Sequence, residues 1–213
     1  KCNVIVGRHK GQYSNYNNDY FFNKNNNINH STMLLSIAQY QYHSHYCWQF
    51  VIKREFLSNY KLKFIDVKIT EDIDFVTRML CFVNKLYYFD KNFYWQRSTE
   101  NSLSKVRDIY TTISFLKVIQ NLASFCNTSR LNKSKEKFLI SRIKYLFGLF
   151  NSSLLLHNEK ELQILSKLTY SRRNDISEIF KLFILNQLNT KYGSFRGLII
   201  YKNIIYSSII DSL

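Results

Sequence analysis

The chain has 213 residues, a net charge of +15 at neutral pH and an apolar content of 46%. This length allows one domain with a buried core, and the composition is that of a globular rather than a disordered protein. There is no proline, and the 4 cysteines are far apart without a Cys-x-x-Cys pair, which argues against a zinc ribbon and a disulfide framework.

The sequence predicts no segment that would direct a protein into or across a membrane. No run of about 18 apolar, uncharged residues occurs, so we predict no transmembrane helix. Residues 1–11 lack the apolar core of a signal peptide. We therefore expect a cytoplasmic protein with reduced cysteines.

The elements of the first half alternate between strand and helix patterns. Residues 2–7 predict a buried strand ended by glycine, and residues 11–31 are rich in Asn and Tyr, as in a loop. A helix is predicted over 31–41, a strand followed by a short helix over 48–57, and a short strand over 63–67. The remaining predictions are a helix over 71–83, with its apolar side chains on one face, and an aromatic strand or strand pair over 86–96.

The pattern changes near residue 104. Apolar residues with a period of 3.6 predict helices over 106–125, 135–150, 159–170 and 175–189, and the β-branched segment 197–206 fits a strand or a final helix. We thus expect an α/β region over 1–104 and a mostly helical region over 105–213. Residues 103–213 hold 17 Lys and Arg against 7 Asp and Glu, which is +10 of the total charge.

The segment from Trp48 to Ser104 carries the most specific pattern. It reads Trp-x-x-x-x-Lys-Arg-x-Phe-Leu, then Phe64, then Glu71-Asp72, then an aromatic run that ends in Arg97-x-x-x-x-Ser102. The order and spacing resemble the second half of a family 2 glycosyltransferase of the bacterial surface-polysaccharide kind. The resemblance implies the C-terminal half of a GT-A-like α/β domain, followed by a helical extension.

The resemblance also implies roles for particular residues. Asp72 would be the catalytic base of an inverting sugar transfer, with Glu71 beside it. Trp48 and Lys53 would bind the acceptor side, and Arg97 and Ser102 would close the site beside the donor diphosphate.

Each of these residues also fits a structural role. Adjacent acids often cap a helix, the tryptophan fits a core, Lys53 fits a solvated helix edge, and a serine after a surface arginine fits an N-cap.

The donor half of such an enzyme does not occur in this sequence. No Asp-x-Asp precedes Trp48, and the only acid before it is Asp19. The divalent metal, Mg²⁺ or Mn²⁺, that the family uses therefore has no ligand pair here, because Asp72-Ile-Asp74 falls in the base motif. We expect the 213 residues by themselves to be inactive and read them as part of a larger enzyme. The implied partners are a nucleotide-sugar donor and a glycan or lipid-linked acceptor.

Two other interpretations remain open. The basic amphipathic segment 133–150 fits either a helix packed on the core or one lying on an anionic membrane surface, which would place the protein on the inner face of the membrane. The competing function is a non-enzymatic basic helical module that binds RNA or a membrane surface, although we expect no nucleic acid. His43, His45 and Cys47 alternate along the chain as zinc ligands can, but no fourth ligand lies near them.

Overall fold

The computed structural model describes residues 3–10, 34, 46–95, 108–154, 156–158 and 160–161. Within these ranges the protein is a small mixed sheet packed against long helices. The elements in chain order are β1 (Val4–Lys10), a 3-10 helix (Cys47–Gln49), β2 (Phe50–Ile52), α1 (Arg54–Asn59), α2 (Glu71–Phe82), β3 (Leu86–Trp95), α3 (Ile109–Thr128) and α4 (Lys133–Leu154).

The sheet has the strand order β2-β1-β3. β1 runs antiparallel to β2, with Val4 opposite Ile52, and parallel to β3, with Val4 opposite Leu86. The strand was expected to end at Gly7. It continues instead to Lys10, with a register shift between Gly7 and Arg8. Alternating Val4 and Val6 turn toward the core, which is the period of a half-buried strand.

One hydrophobic core receives side chains from both sides of position 104. α2 buries an apolar face on α3 and α4, and the two long helices pack on each other. The fully buried side chains of this core include Met79, Leu80, Ile119, Leu122, Phe138, Leu139, Leu146 and Phe150. The division of the chain into regions 1–104 and 105–213 stays a prediction.

The predicted helix over 71–83 and the predicted aromatic strand over 86–96 are confirmed, as is the strand followed by a short helix after Trp48. The helices predicted over 106–125 and 135–150 are present as α3 and α4, each extending three or four residues further than predicted at its C-terminal end. Of residues 31–41 only Leu34 is described, and it is helical and fully buried.

The strand predicted over 63–67 is wrong. The backbone of this segment forms hydrogen bonds with a side chain and within the segment, and not with another strand. Its Lys63 carbonyl accepts a hydrogen bond from Arg78, and its Val67 N–H donates to the Ile65 carbonyl. The helices predicted over 159–170 and 175–189 and the segment 197–206 lie outside the described residues, apart from positions 160–161 at the start of the first, which are helical.

The apolar stripe of the basic segment 133–150 faces the protein core. Phe138, Ile143 and Phe150 are buried together with Arg142, whereas Lys144 on the other face is exposed. The sequence left this segment either packed on the core or lying on a membrane surface. For its apolar face, the structure shows packing on the core. Among the helices in the described part of the chain, none is both long and apolar enough to cross a bilayer.

Candidate functional site

A cavity of about 550 Å³ opens at the start of α2. One wall comes from the loop before α2 and from its first turn, where Lys68, Thr70, Glu71 and Asp72 lie. Tyr46, which precedes the 3-10 helix, also lines it. The opposite wall comes from α3 and α4 and from residue 156, and its lining residues are Phe115, Tyr145, Leu149, Ser152, Ser153 and Leu156.

The backbone is strained where the acid pair begins. Thr70 precedes α2 with φ 68° and ψ 11°, which is the left-handed region. A β-branched residue rarely adopts this conformation. Such a conformation persists only where the surrounding structure maintains it, and residues of this kind concentrate at functional sites. The turn directs the chain so that Glu71 and Asp72 start the helix at the cavity.

Asp72 is a partly buried carboxylate. Burial, and then the neighbouring charge of Glu71, raise the pKa of Asp72 to about 6. Its Oδ1 accepts a hydrogen bond from the Ile73 N–H at 2.8 Å, which opposes the shift but does not cancel it. The group therefore has a high proton affinity for an aspartate and is still mostly ionised at neutral pH.

The Cys47 thiol lies near these carboxylates. Its pKa is raised by burial first and by the charges of Asp72 and Glu71 second, so the thiol form dominates at neutral pH. His43 and His45, the other members of the alternating zinc pattern, lie outside the described residues. Within the part of the chain that is described, no group of three or more His, Cys, Asp or Glu residues is arranged to hold a metal ion.

Trp48 is stacked in a row of three aromatic rings. Its ring lies 5.0 Å from that of Tyr46 and 4.6 Å from that of Tyr94, in both cases nearly parallel. Trp48 itself does not line the cavity, but Tyr46 does, so the row ends at the cavity wall.

The other residues of the sequence pattern lie apart from the cavity. Lys53 has an exposed side chain just before α1, and its backbone N–H donates to the Asn3 carbonyl at 3.0 Å. Phe64 stacks on Phe75 with 4.2 Å between ring centroids. Arg97 and Ser102 fall outside the described residues, so their roles stay predictions.

The sequence pattern did not indicate several polar residues at and beside the cavity. Ser153 and the partly buried His157 belong to a hydrogen-bonded group next to the cavity, and Lys68 forms an ion pair with Asp108. These residues sit in ordinary helical or loop patterns, and no local signal separates them from other surface or core positions. Their proximity depends on how the long helices pack.

No protein-family model, curated protein or solved structure matches this chain. The cavity and the residue pattern around it are therefore the features that indicate a function.

Proposed function

We propose that the cavity at the start of α2 is the acceptor side of an inverting glycosyl transfer site, with Asp72 as the general base. The observation that carries the proposal is the Asp72 carboxylate itself, which lines the cavity with a pKa of about 6. An active-site base works best when its pKa approaches the pH at which it operates. An exposed aspartate would be a far weaker base.

The proposed reaction needs one proton acceptor. The acceptor hydroxyl attacks the anomeric carbon of the donor sugar, its proton passes to Asp72, and the bond from that carbon to the nucleoside diphosphate breaks. Glu71 contributes through its charge, which raises the proton affinity of Asp72. The start of a helix favours a negative charge. Asp72 therefore releases the proton again and returns to its ionised form.

The cavity walls support an acceptor with apolar as well as hydroxyl-bearing parts. Phe115, Leu149 and Leu156 offer apolar surface opposite the acid pair. The row that ends at Tyr46 offers a flat aromatic face, to which the apolar face of a sugar ring can pack. A glycan or lipid-linked acceptor fits these walls, and a nucleotide-sugar is the donor.

The donor diphosphate and the divalent metal belong to a donor-binding half that this sequence does not contain. Arg97 and Ser102 would close the site beside the donor diphosphate. We expect the 213 residues alone not to transfer sugar, and the complete gene product to do so with Mg²⁺ or Mn²⁺. Robust metal-dependent transfer by the 213 residues alone would contradict this division of labour.

The test is the Asp72→Asn variant of the complete gene product. Transfer from a panel of radiolabelled nucleotide-sugars to lipid extracts and aryl glycosides is measured against pH. We expect kcat to fall about 10²–10⁴-fold, the usual contribution of a general base, and the rise of kcat/KM with pH near the Asp72 pKa to disappear. Asp66→Asn is the matched control, because Asp66 is an exposed acid in the loop before α2. Wild-type turnover in Asp72→Asn would show that another group is the base.

A further inference from the structure

A chain of hydrogen bonds leads away from the cavity on the side opposite Asp72. The hydroxyls of Ser153 on α4 and Thr112 on α3 are in hydrogen-bond contact. The Thr112 hydroxyl also contacts His157 Nε2 at 2.6 Å, and His157 Nδ1 lies 3.2 Å from Glu161 Oε2. The proposed function uses none of these residues.

Glu161 is held in position by its own helix start. Its Oε2 accepts the Asn158 N–H at 3.1 Å, and its N–H donates to Asn158 Oδ1 at 3.1 Å, which is the reciprocal pattern of a capping box. The carboxylate therefore stays beside the imidazole. Its side chain is 35% exposed, whereas that of His157 is only 2% exposed.

With His157 in its neutral form, the donors and acceptors of the chain allow only one direction. A carboxylate only accepts, so neutral His157 carries its proton on Nδ1 and donates it to Glu161. Nε2 is then an acceptor and takes the Thr112 hydroxyl proton. Because that proton is used, Thr112 Oγ1 accepts from the Ser153 hydroxyl. The two hydroxyl protons thus point from Ser153 toward His157. This direction is required if the imidazole is to deprotonate the serine.

Ser153 is the member of this chain that meets the cavity. Thr112 is completely buried, while Ser153 lines the cavity and is 5% exposed. The residue next to the imidazole is therefore closed to ligands, and the next residue of the chain is the one that borders the cavity. The cavity wall around it is largely apolar, with Phe115 and Leu149 among its residues.

We infer that Ser153 is a nucleophile that takes an acyl or phosphonyl group from an activated ester with an apolar chain. Its Oγ forms the new bond to the carbonyl carbon or phosphorus, and the bond to the leaving group breaks with its electron pair. The Ser153 proton moves to Thr112 as the Thr112 proton moves to His157 Nε2. The imidazolium is stabilised by Glu161, and its proton leaves to solvent on that exposed side.

This inference does not depend on the proposed glycosyl transfer. It requires only the four residues and the cavity, so it holds or fails whatever Asp72 does. It is also confined to leaving groups that depart as anions, such as aryl oxides or fluoride, because no proton donor for the leaving group is part of the chain.

The experiment treats the 213-residue protein with an alkyl fluorophosphonate that carries a fluorophore, and locates the adduct by peptide mass spectrometry. We expect one adduct, on Ser153, and none in Ser153→Ala. Thr112→Val keeps the side-chain shape but removes the relay, so its labelling rate should fall at least about tenfold, since general-base assistance contributes roughly 10²–10⁴-fold. Ser152→Ala is the matched control, because Ser152 lines the same cavity but donates to the Gly148 carbonyl.

The outcomes are decisive in both directions. Native protein that stays unlabelled, an adduct elsewhere, or equal labelling of Thr112→Val would overturn the inference and leave the four residues with a purely structural role. If Thr112→Val does not fold by circular dichroism, Glu161→Gln decides, because it lies on the surface side of the chain and removes only the charge that stabilises the imidazolium. Unchanged labelling in Glu161→Gln would then also overturn it.

Discussion

At the scale of single residues, the unexpected feature is a buried charge cluster inside α2. Asp74 is completely buried and pairs with Arg78 one helical turn later, whose Nε donates to Asp74 Oδ2 at 3.0 Å. Asn121 on α3 donates to Asp74 Oδ1 at 2.6 Å, and Arg78 also donates to the Lys63 carbonyl at 2.7 Å. The cluster therefore joins α2, α3 and the loop before α2, which carries Lys68 and Thr70 of the cavity.

Arg78→Leu should cost about 3–5 kcal/mol of unfolding free energy, because it leaves the Asp74 carboxylate buried without its cation. Urea denaturation measures the loss. The double variant Asp74→Leu/Arg78→Leu should be more stable than Arg78→Leu alone, since no charge is then stranded in the core. Equal stability of the single and double variants would contradict the explanation that Arg78→Leu strands a buried charge.

Asp72 should make the protein less stable as the pH rises. Its folded pKa of about 6 lies above the ordinary value of 3.8, so the folded state prefers the protonated form. The unfavourable contribution is absent below about pH 4, develops as the pH rises through 6 and stays constant above.

Asp72→Asn should therefore raise the unfolding free energy at pH 8 by on the order of 1–3 kcal/mol and leave it unchanged at pH 4. Chemical denaturation at the two pH values measures the difference, with Asp66→Asn as the exposed control. A gain of equal size at both pH values would assign the effect to packing instead of to ionisation. Such a loss of stability is the cost expected of the proposed base.

At the scale of elements, α2 and α3, two of the helices that border the cavity, begin in different ways. α3 has a side-chain cap: Asp108 Oδ1 accepts the Thr111 N–H at 3.0 Å, and its other oxygen pairs with Lys68. α2 begins after the left-handed Thr70 and has no side-chain cap hydrogen bond. The three acids in its first turn instead interact favourably with the helix dipole.

Asp108→Ala should destabilise the protein by about 1 kcal/mol, because the first turn of α3 loses its cap. Asp108→Asn should lose less, since an asparagine caps a helix about as well and only the partly exposed ion pair to Lys68 is removed. Thermal denaturation of the two variants makes the comparison. Equal losses in Asp108→Asn and Asp108→Ala would show that the ion pair, not the cap, stabilises this junction.

At the scale of the whole molecule, the net charge is +15, and part of it lies on the exposed face of α4. In α4 the Arg142 guanidinium is buried, and burial lowers its pKa to about 10, whereas Lys133, Lys137 and Lys144 are exposed. An anionic surface would meet these lysines and not the apolar stripe, which already packs on the core. Membrane association by this helix stays a prediction, now of a purely electrostatic kind.

Replacing Lys133, Lys137 and Lys144 together with glutamine should weaken co-sedimentation with phosphatidylserine-containing vesicles at low salt at least about tenfold, because each nearby lysine contributes on the order of 1 kcal/mol. The control replaces three exposed lysines outside α4: Lys53, Lys61 and Lys63. Equal losses in both triple variants would assign binding to net charge alone. A protein that ignores vesicles but binds RNA at physiological salt would favour the basic interaction module.

The sequence by itself determined the elements that repeat a local pattern. Apolar spacing located α2 and β3 almost to the residue, and found α3 and α4 with shifted ends. It also located Glu71 and Asp72 at a helix start, because acids before an apolar helical pattern mark an N-terminus. These features depend on neighbours a few residues away, and the residues alone specify them.

Only the tertiary structure decided what the elements do to one another. The burial that raises the pKa of Asp72, the inward position of Arg142 and the contact of Thr112 with Ser153 and His157 all depend on packing between distant parts of the chain. The same holds for the segment 63–67, where a strand was predicted. Its Lys63 carbonyl accepts a hydrogen bond from the Arg78 side chain instead. A periodic pattern states which face of a helix is apolar, but the polar groups that meet across that face are set by the packing of the whole chain.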